Sequence, residues 1–153
     1  MLSQAITSVP GASEIFEMGI VSYSNRVKTK LLGVKEEILE RYGAVSEQTA
    51  VAMAEGVLRQ SGAQIGVAVT GIAGPTGGTK EKPVGTVYVS VISLMGGNKK
   101  TVVKNLELYK EEKELTRDKA RKLTVLKAME MVGEICGATY SETDTEDKNV
   151  NVQ

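Results

Sequence analysis

The 153-residue chain contains no histidine, no tryptophan, one cysteine (Cys136), one phenylalanine and three prolines. Each scarcity excludes a chemistry. Without an imidazole there is no Ser-His-Asp or Cys-His catalytic pair and no His-ligated zinc, because both need a side chain that exchanges a proton or donates a lone pair near neutral pH. Any catalysis falls to Ser, Thr, Tyr, Lys or carboxylates. A lone cysteine forms neither an internal disulfide nor a thiolate metal cage, so a reducing cytoplasm is the default location. Lys+Arg and Asp+Glu balance at 19 each and aromatics are 4% of the chain. With no net positive charge and few rings on which bases can stack, nucleic acid is not an expected partner. No run of about 18 apolar residues occurs. The start, MLSQAITSVPGASE, has neither a basic opening nor an apolar stretch, so neither a membrane span nor a secretory signal is expected.

A chain of about 150 residues hides roughly 70% of its unfolded surface, enough for one domain with a real core. Its end differs in character. Tyr140 to Gln153 holds Glu142, Asp144, Glu146 and Asp147 against Lys148 alone, with Val150 and Val152 as the only aliphatic side chains. The reading is a domain over 1–138 and a polar, acidic, disordered tail over 139–153.

Leu2, Ala5 and Ile6 have helical spacing, and Val9-Pro10-Gly11 stops that short helix. Ile15 to Ser22 (IFEMGIVS) is rich in β-branched and aromatic residues and predicts a strand, with Ser24-Asn25-Arg26 as the following turn. A helix over Val34 to Tyr42 ends at Gly43. From Ser46, the series Ala50, Met53, Ala54, Val57, Leu58 predicts a second helix, capped by Ser46 and ended by Gly62. Ile65 to Val69 is short and continuously apolar, as strands buried on both faces are. A hairpin is predicted from Gly85–Ile92, the turn Gly96-Gly97-Asn98 and Thr101–Leu108. A long helix follows from about Glu114 to Ile135, with Leu123, Leu126, Met129 and Val132 along one side and Cys136 buried near its end. These elements predict an α/β fold of three layers, α/β/α, around a mixed sheet.

Three segments can carry chemistry. Thr70 to Gly85 places five of the sixteen glycines at the C-terminal end of a predicted buried strand, where open α/β sheets bind ligands. Glycines let main-chain N–H groups approach an anion or a carbonyl oxygen, and Thr70, Thr79 and Lys82 add hydroxyl or ammonium contacts. The segment has neither the P-loop pattern nor G-x-G-x-x-G, and a plain connection between strands is the alternative. Tyr23 to Lys28 supplies Tyr, Ser and Lys within six residues, a proton shuttle if burial lowers the lysine pKa and otherwise a solvated turn. Arg117 and Arg121, four apart on one helix face, can grip a phosphate or simply face solvent.

Taken together, VSYSNRVK at 21–28, GAVSEQTAVAMAEG at 43–56 and VAVTGIAGPTGGTKEKPVGTVYVSV at 67–91 resemble the C-terminal domain of the competence-damage-inducible CinA proteins, also found alone as the nicotinamide-nucleotide amidase PncC. The resemblance spans about Leu2 to Gly137. It implies hydrolysis of the carboxamide of nicotinamide mononucleotide to nicotinic acid mononucleotide and ammonia, with no metal or cofactor. Amide hydrolysis without histidine needs a nucleophilic hydroxyl, a base such as lysine, and N–H donors for the oxyanion. By resemblance Lys28 is the base and Tyr23 its helper. Asn25, Thr70, Gly71, Ala73, Gly74, Gly77, Gly78, Lys82 and Arg117 then hold the substrate, although the glycine and acid that usually precede the family's arginine are here Leu115 and Thr116.

Family members begin with a helix and a strand leading into an A-E-S-C-T-G-G motif whose serine is taken as the nucleophile. This sequence matches from the following helix onward. Two expectations follow: unpaired sheet edges that favour a homo-oligomer, and weak amidase activity, with a catalytically silent nucleotide-binding or scaffolding protein as the alternative.

Overall fold

The computed structural model describes residues 1–137. The polar tail expected at 139–153 lies outside the described residues. In chain order the elements are α1 (Leu2–Thr7), a 3₁₀ turn (Ala12–Glu14), α2 (Asn25–Leu32), α3 (Glu36–Tyr42), α4 (Glu47–Ser61), β1 (Ile65–Gly71), β2 (Val87–Ser93), a second 3₁₀ turn (Met95–Gly97), β3 (Lys100–Asn105), α5 (Leu108–Glu111) and α6 (Arg117–Cys136).

The strands form one sheet in the order β1-β2-β3. Val67 sits opposite Val91 and Val69 opposite Val89, while Val91 also faces Val102. Alternation along the strands sends side chains to two cores. Ala68 and Ile92 join Leu32, Leu39, Met53, Ala54 and Leu58 beneath α2, α3 and α4. Val87, Val89 and Val91 join Leu108, Ala120, Ala128 and Met131 beneath α6. The sheet is therefore covered on both faces, and the three-layer α/β/α architecture stands.

Several sequence expectations change. All three strands are antiparallel to their neighbours, so among the described residues the sheet is not mixed. The strand expected over Ile15–Ser22 is absent from it: residues 17–23 make no main-chain hydrogen bond to another strand. Propensity extends that backbone, but a ladder also needs a partner edge. The turn expected at Ser24-Asn25-Arg26 is instead the start of α2. Ser24 Oγ accepts from Val27 N at 3.3 Å, and Gly33 ends the helix in the left-handed region at φ 65°.

α4 matches its prediction, with Ser46 Oγ accepting from Thr49 N at 3.2 Å. It crosses α2 closely at Gly56, where a Cβ would stand 2.1 Å from the Leu32 carbonyl oxygen. Arg59 of α4 donates to that carbonyl at 2.8 Å, and Gln60 donates to Leu31 O, so α4 satisfies the last carbonyls of α2. On α6 the buried positions are Ala120, Thr124, Ala128 and Met131, while Leu126 is 59% exposed and Cys136 is exposed rather than buried. Of the expected stripe, Leu123 and Val132 pack partly buried against this core, Leu126 does not, and the fully buried positions are taken mostly by small side chains that set the helix-to-sheet approach.

Candidate functional site

The structure distributes the expected site residues over three clusters. In the first, the segment preceding α2 and the first turns of α2 surround Lys28. This side chain is 6% exposed, and it is the only charged residue buried to that degree among the described ones. Its Nζ donates to Ser22 O at 2.8 Å and to Tyr23 O at 3.3 Å. No carboxylate pairs with it among the described residues. Burial therefore pushes its pKa below the ordinary lysine range. Tyr23 meets Lys28 through its main-chain carbonyl, and its side chain is 83% exposed. Asn25 lines an open groove of about 640 Å³ between α2 and α3, with Arg26, Thr29, Lys30, Glu36 and Glu40. None of the other expected site residues lines that groove.

The second cluster joins the end of β1 to the turn between α3 and α4. Thr70 Oγ1 donates to Ala44 O at 2.6 Å. Lys82 Nζ donates to Tyr42 O at 3.1 Å and to Val45 O at 2.7 Å. Ser46 and Thr49 complete it by donating to Gly43 O at 3.0 and 2.8 Å. Sequence reading treated Ser46 only as a helix cap and missed Thr49. The Ser46-x-x-Thr49 spacing three residues after Gly43 was the available signal, and their burial is visible only in the structure.

The third cluster is the glycine-rich loop itself, residues 72–85. It folds back on its own Val84: a Cβ at Gly74 would lie 2.5 Å from Val84 Cγ1, and one at Gly78 would lie 2.6 Å from Val84 N. Part of the glycine density is thus explained by close packing of the loop. Across its base Ile72 N donates to Thr86 O and Gly85 N donates to Ile72 O, and a tight turn links Thr79 to Lys82. The N–H groups of Ala73, Gly74, Gly77 and Gly78 have no protein acceptor among the described residues. Arg117, the first residue of α6, donates from Nη1 to Gly74 O at 2.8 Å and so brings a cation and a helix start to this loop. Unpaired amides, a guanidinium and a helix N-terminus together suit an anion or a polarised carbonyl. Gly71 ends β1 opposite Val87. Among the described residues, no hydrogen bond joins the Lys28 cluster to the other two.

Among the described residues, no group of three acidic, Cys or His side chains is placed to hold a metal, and no helix is long and apolar enough to cross a membrane.

The model of the CinA C-terminal domain matches residues 1–136. A competence-damage inducible protein of Acetivibrio thermocellus is 52% identical over 132 residues, covering 86% of this chain and 30% of the relative. A CinA-like protein of Akkermansia muciniphila is 56% identical over 101 residues, covering 66% of this chain and 24% of the relative. The chain thus spans about a third or less of the length of these relatives. Among solved structures, the competence/damage inducible protein CihA from Agrobacterium tumefaciens superposes with a TM-score of 0.78 at 39% identity, covering 88% of this chain and 78% of that one. The chain belongs to the CinA C-terminal domain family.

Proposed function

We propose that this domain binds a pyridine nucleotide carboxamide of the nicotinamide mononucleotide type and hydrolyses its amide, with Lys28 as the proton acceptor. The observation that carries the reading is a buried lysine with no carboxylate partner and a lowered pKa. Such a group holds a larger neutral fraction near pH 7 than a solvated lysine, which is what a general base needs. The amine would take the proton of an attacking hydroxyl as its oxygen bonds to the carboxamide carbon. The unpaired N–H groups of the glycine-rich loop suit the oxyanion that forms. The C–N bond then breaks, ammonia leaves with a proton returned from the lysine, and water releases the acid. Arg117 at the start of α6 suits the nucleotide phosphate.

A second reading, binding without turnover, is favoured by one observation. The hydrogen-bond partners of Lys28 are two main-chain carbonyls, and no side-chain hydroxyl is among them. Ammonia release from nicotinamide mononucleotide separates the two. The amidase reading expects slow release that Lys28→Ala abolishes and Lys28→Arg does not restore. Binding of the mononucleotide with no release supports the second reading, and neither binding nor release overturns both.

A further inference from the structure

Four consecutive main-chain carbonyls in the turn between α3 and α4, from Tyr42 to Val45, all receive side-chain donors. Lys82 Nζ lies 3.1 Å from Tyr42 O and 2.7 Å from Val45 O, Ser46 and Thr49 bond Gly43 O, and Thr70 bonds Ala44 O at 2.6 Å. Thr49 is fully buried, and Ser46 and Thr70 nearly so. Gly43 gives the turn its φ of 80°, a conformation that favours glycine, and brings it within van der Waals reach of the ammonium: a Cβ there would be 3.7 Å from Lys82 Nζ. No carboxylate pairs with Lys82 among the described residues. The ammonium therefore sits among neutral carbonyl oxygens, the donor set that also suits a free monovalent cation.

This tie crosses a long stretch of sequence. Lys82 is on the far limb of the glycine-rich loop, and the carbonyls it reaches lie 37 and 40 residues earlier. Thr79 accepts from Lys82 N at 3.0 Å, and Lys82 O accepts from Thr79 N at 2.9 Å, so the strap continues into the turn beside Gly77 and Gly78. Arg117 fixes the near limb at Gly74. The amides of Gly77 and Gly78, unpaired among the described residues, lie between these two anchors.

We propose that Lys82 is a positioning residue rather than a ligand contact: its ammonium occupies a carbonyl cradle as a built-in monovalent cation and thereby holds the glycine-rich loop in its ligand-ready shape. The link to a ligand rests on the function proposed above, but the cradle itself does not. The test is Lys82→Ala, which empties the cradle and leaves room for a small cation, compared in ammonium, methylammonium, potassium and choline chlorides at equal ionic strength. Amide hydrogen exchange across residues 72–85 is expected to accelerate about tenfold in choline and to slow again in ammonium or methylammonium. Nicotinamide mononucleotide affinity is expected to fall and recover in the same salts. A lysine that touches phosphate directly would lower affinity without altering exchange, and that result, or exchange indifferent to the cation, overturns the proposal. Exchange that recovers with no nucleotide binding in any salt keeps the cradle and removes only the nucleotide reading. Should Lys82→Ala not fold, the wild type decides: an ammonium tied to two carbonyls gives a ¹⁵N resonance with slowly exchanging protons at neutral pH, and a freely solvated Lys82 contradicts the strap.

Discussion

Lys28 costs the fold something and gives nothing obvious back in packing. Its charge is buried against two carbonyls with no counter-ion among the described residues. Its folded pKa lies below its unfolded one, so between those values the unfolded chain binds more protons, and stability attributable to this group rises with pH. Below the depressed folded pKa the full penalty applies, and it fades as pH climbs toward the ordinary lysine range near about 10.4. We expect Lys28→Met to be as stable as the wild type or more stable at neutral pH, by up to about 1 kcal/mol, with the difference shrinking as pH rises. Urea unfolding of both proteins across that range checks this. A wild type more stable than the variant at every pH would make Lys28 an ordinary structural residue. The sequence put a lysine beside a tyrosine and a serine, but it could not show which atoms meet. The contact runs through main-chain carbonyls, which leave no signature in residue identity. The same holds for Lys82, read as a ligand contact and found bonded to the turn at 42–45.

At the scale of elements, α4 and the β2–β3 hairpin were legible because each carries its own boundary signals: Ser46 and Gly62 for the helix, Gly96-Gly97-Asn98 for the turn. α2 was not, although Ser24 and Gly33 bracket it, because polar residues at its start resemble a turn as readily as a capped first turn. The segment at 15–22 failed for a different reason. β propensity describes one chain, whereas a strand is a relation between two. Close helix crossing is likewise invisible in a sequence, and Gly56 exposes the difference. Judged by helix propensity alone, Gly56→Ala should stabilise α4 by about 1 kcal/mol. A Cβ 2.1 Å from the Leu32 carbonyl predicts the opposite. We expect a loss of about 2 kcal/mol in denaturant unfolding. A stabilised variant would mean that α2 shifts at little cost.

At the scale of the whole molecule, apolar exposure is concentrated in the first 23 residues, where Met1, Val9, Ile15, Val21 and Tyr23 are all exposed. Among the described residues β1 has a neighbour on one side only. An edge strand and an exposed apolar segment on the same chain favour self-association. Sedimentation velocity is expected to show a concentration-dependent oligomer that Ile15→Lys with Val21→Lys shifts toward monomer. A single monomeric species at all concentrations would remove that expectation. The absence of histidine was legible from the start and remains informative, since it leaves proton transfer to lysine, tyrosine or a carboxylate. Whether a pyridine nucleotide carboxamide binds beside Lys28 is decided by calorimetric titration with nicotinamide mononucleotide. A saturable heat at one site per chain is expected, with affinity weakened about tenfold or more by Lys28→Ala; no saturable heat, or identical isotherms for the two proteins, would overturn the assignment.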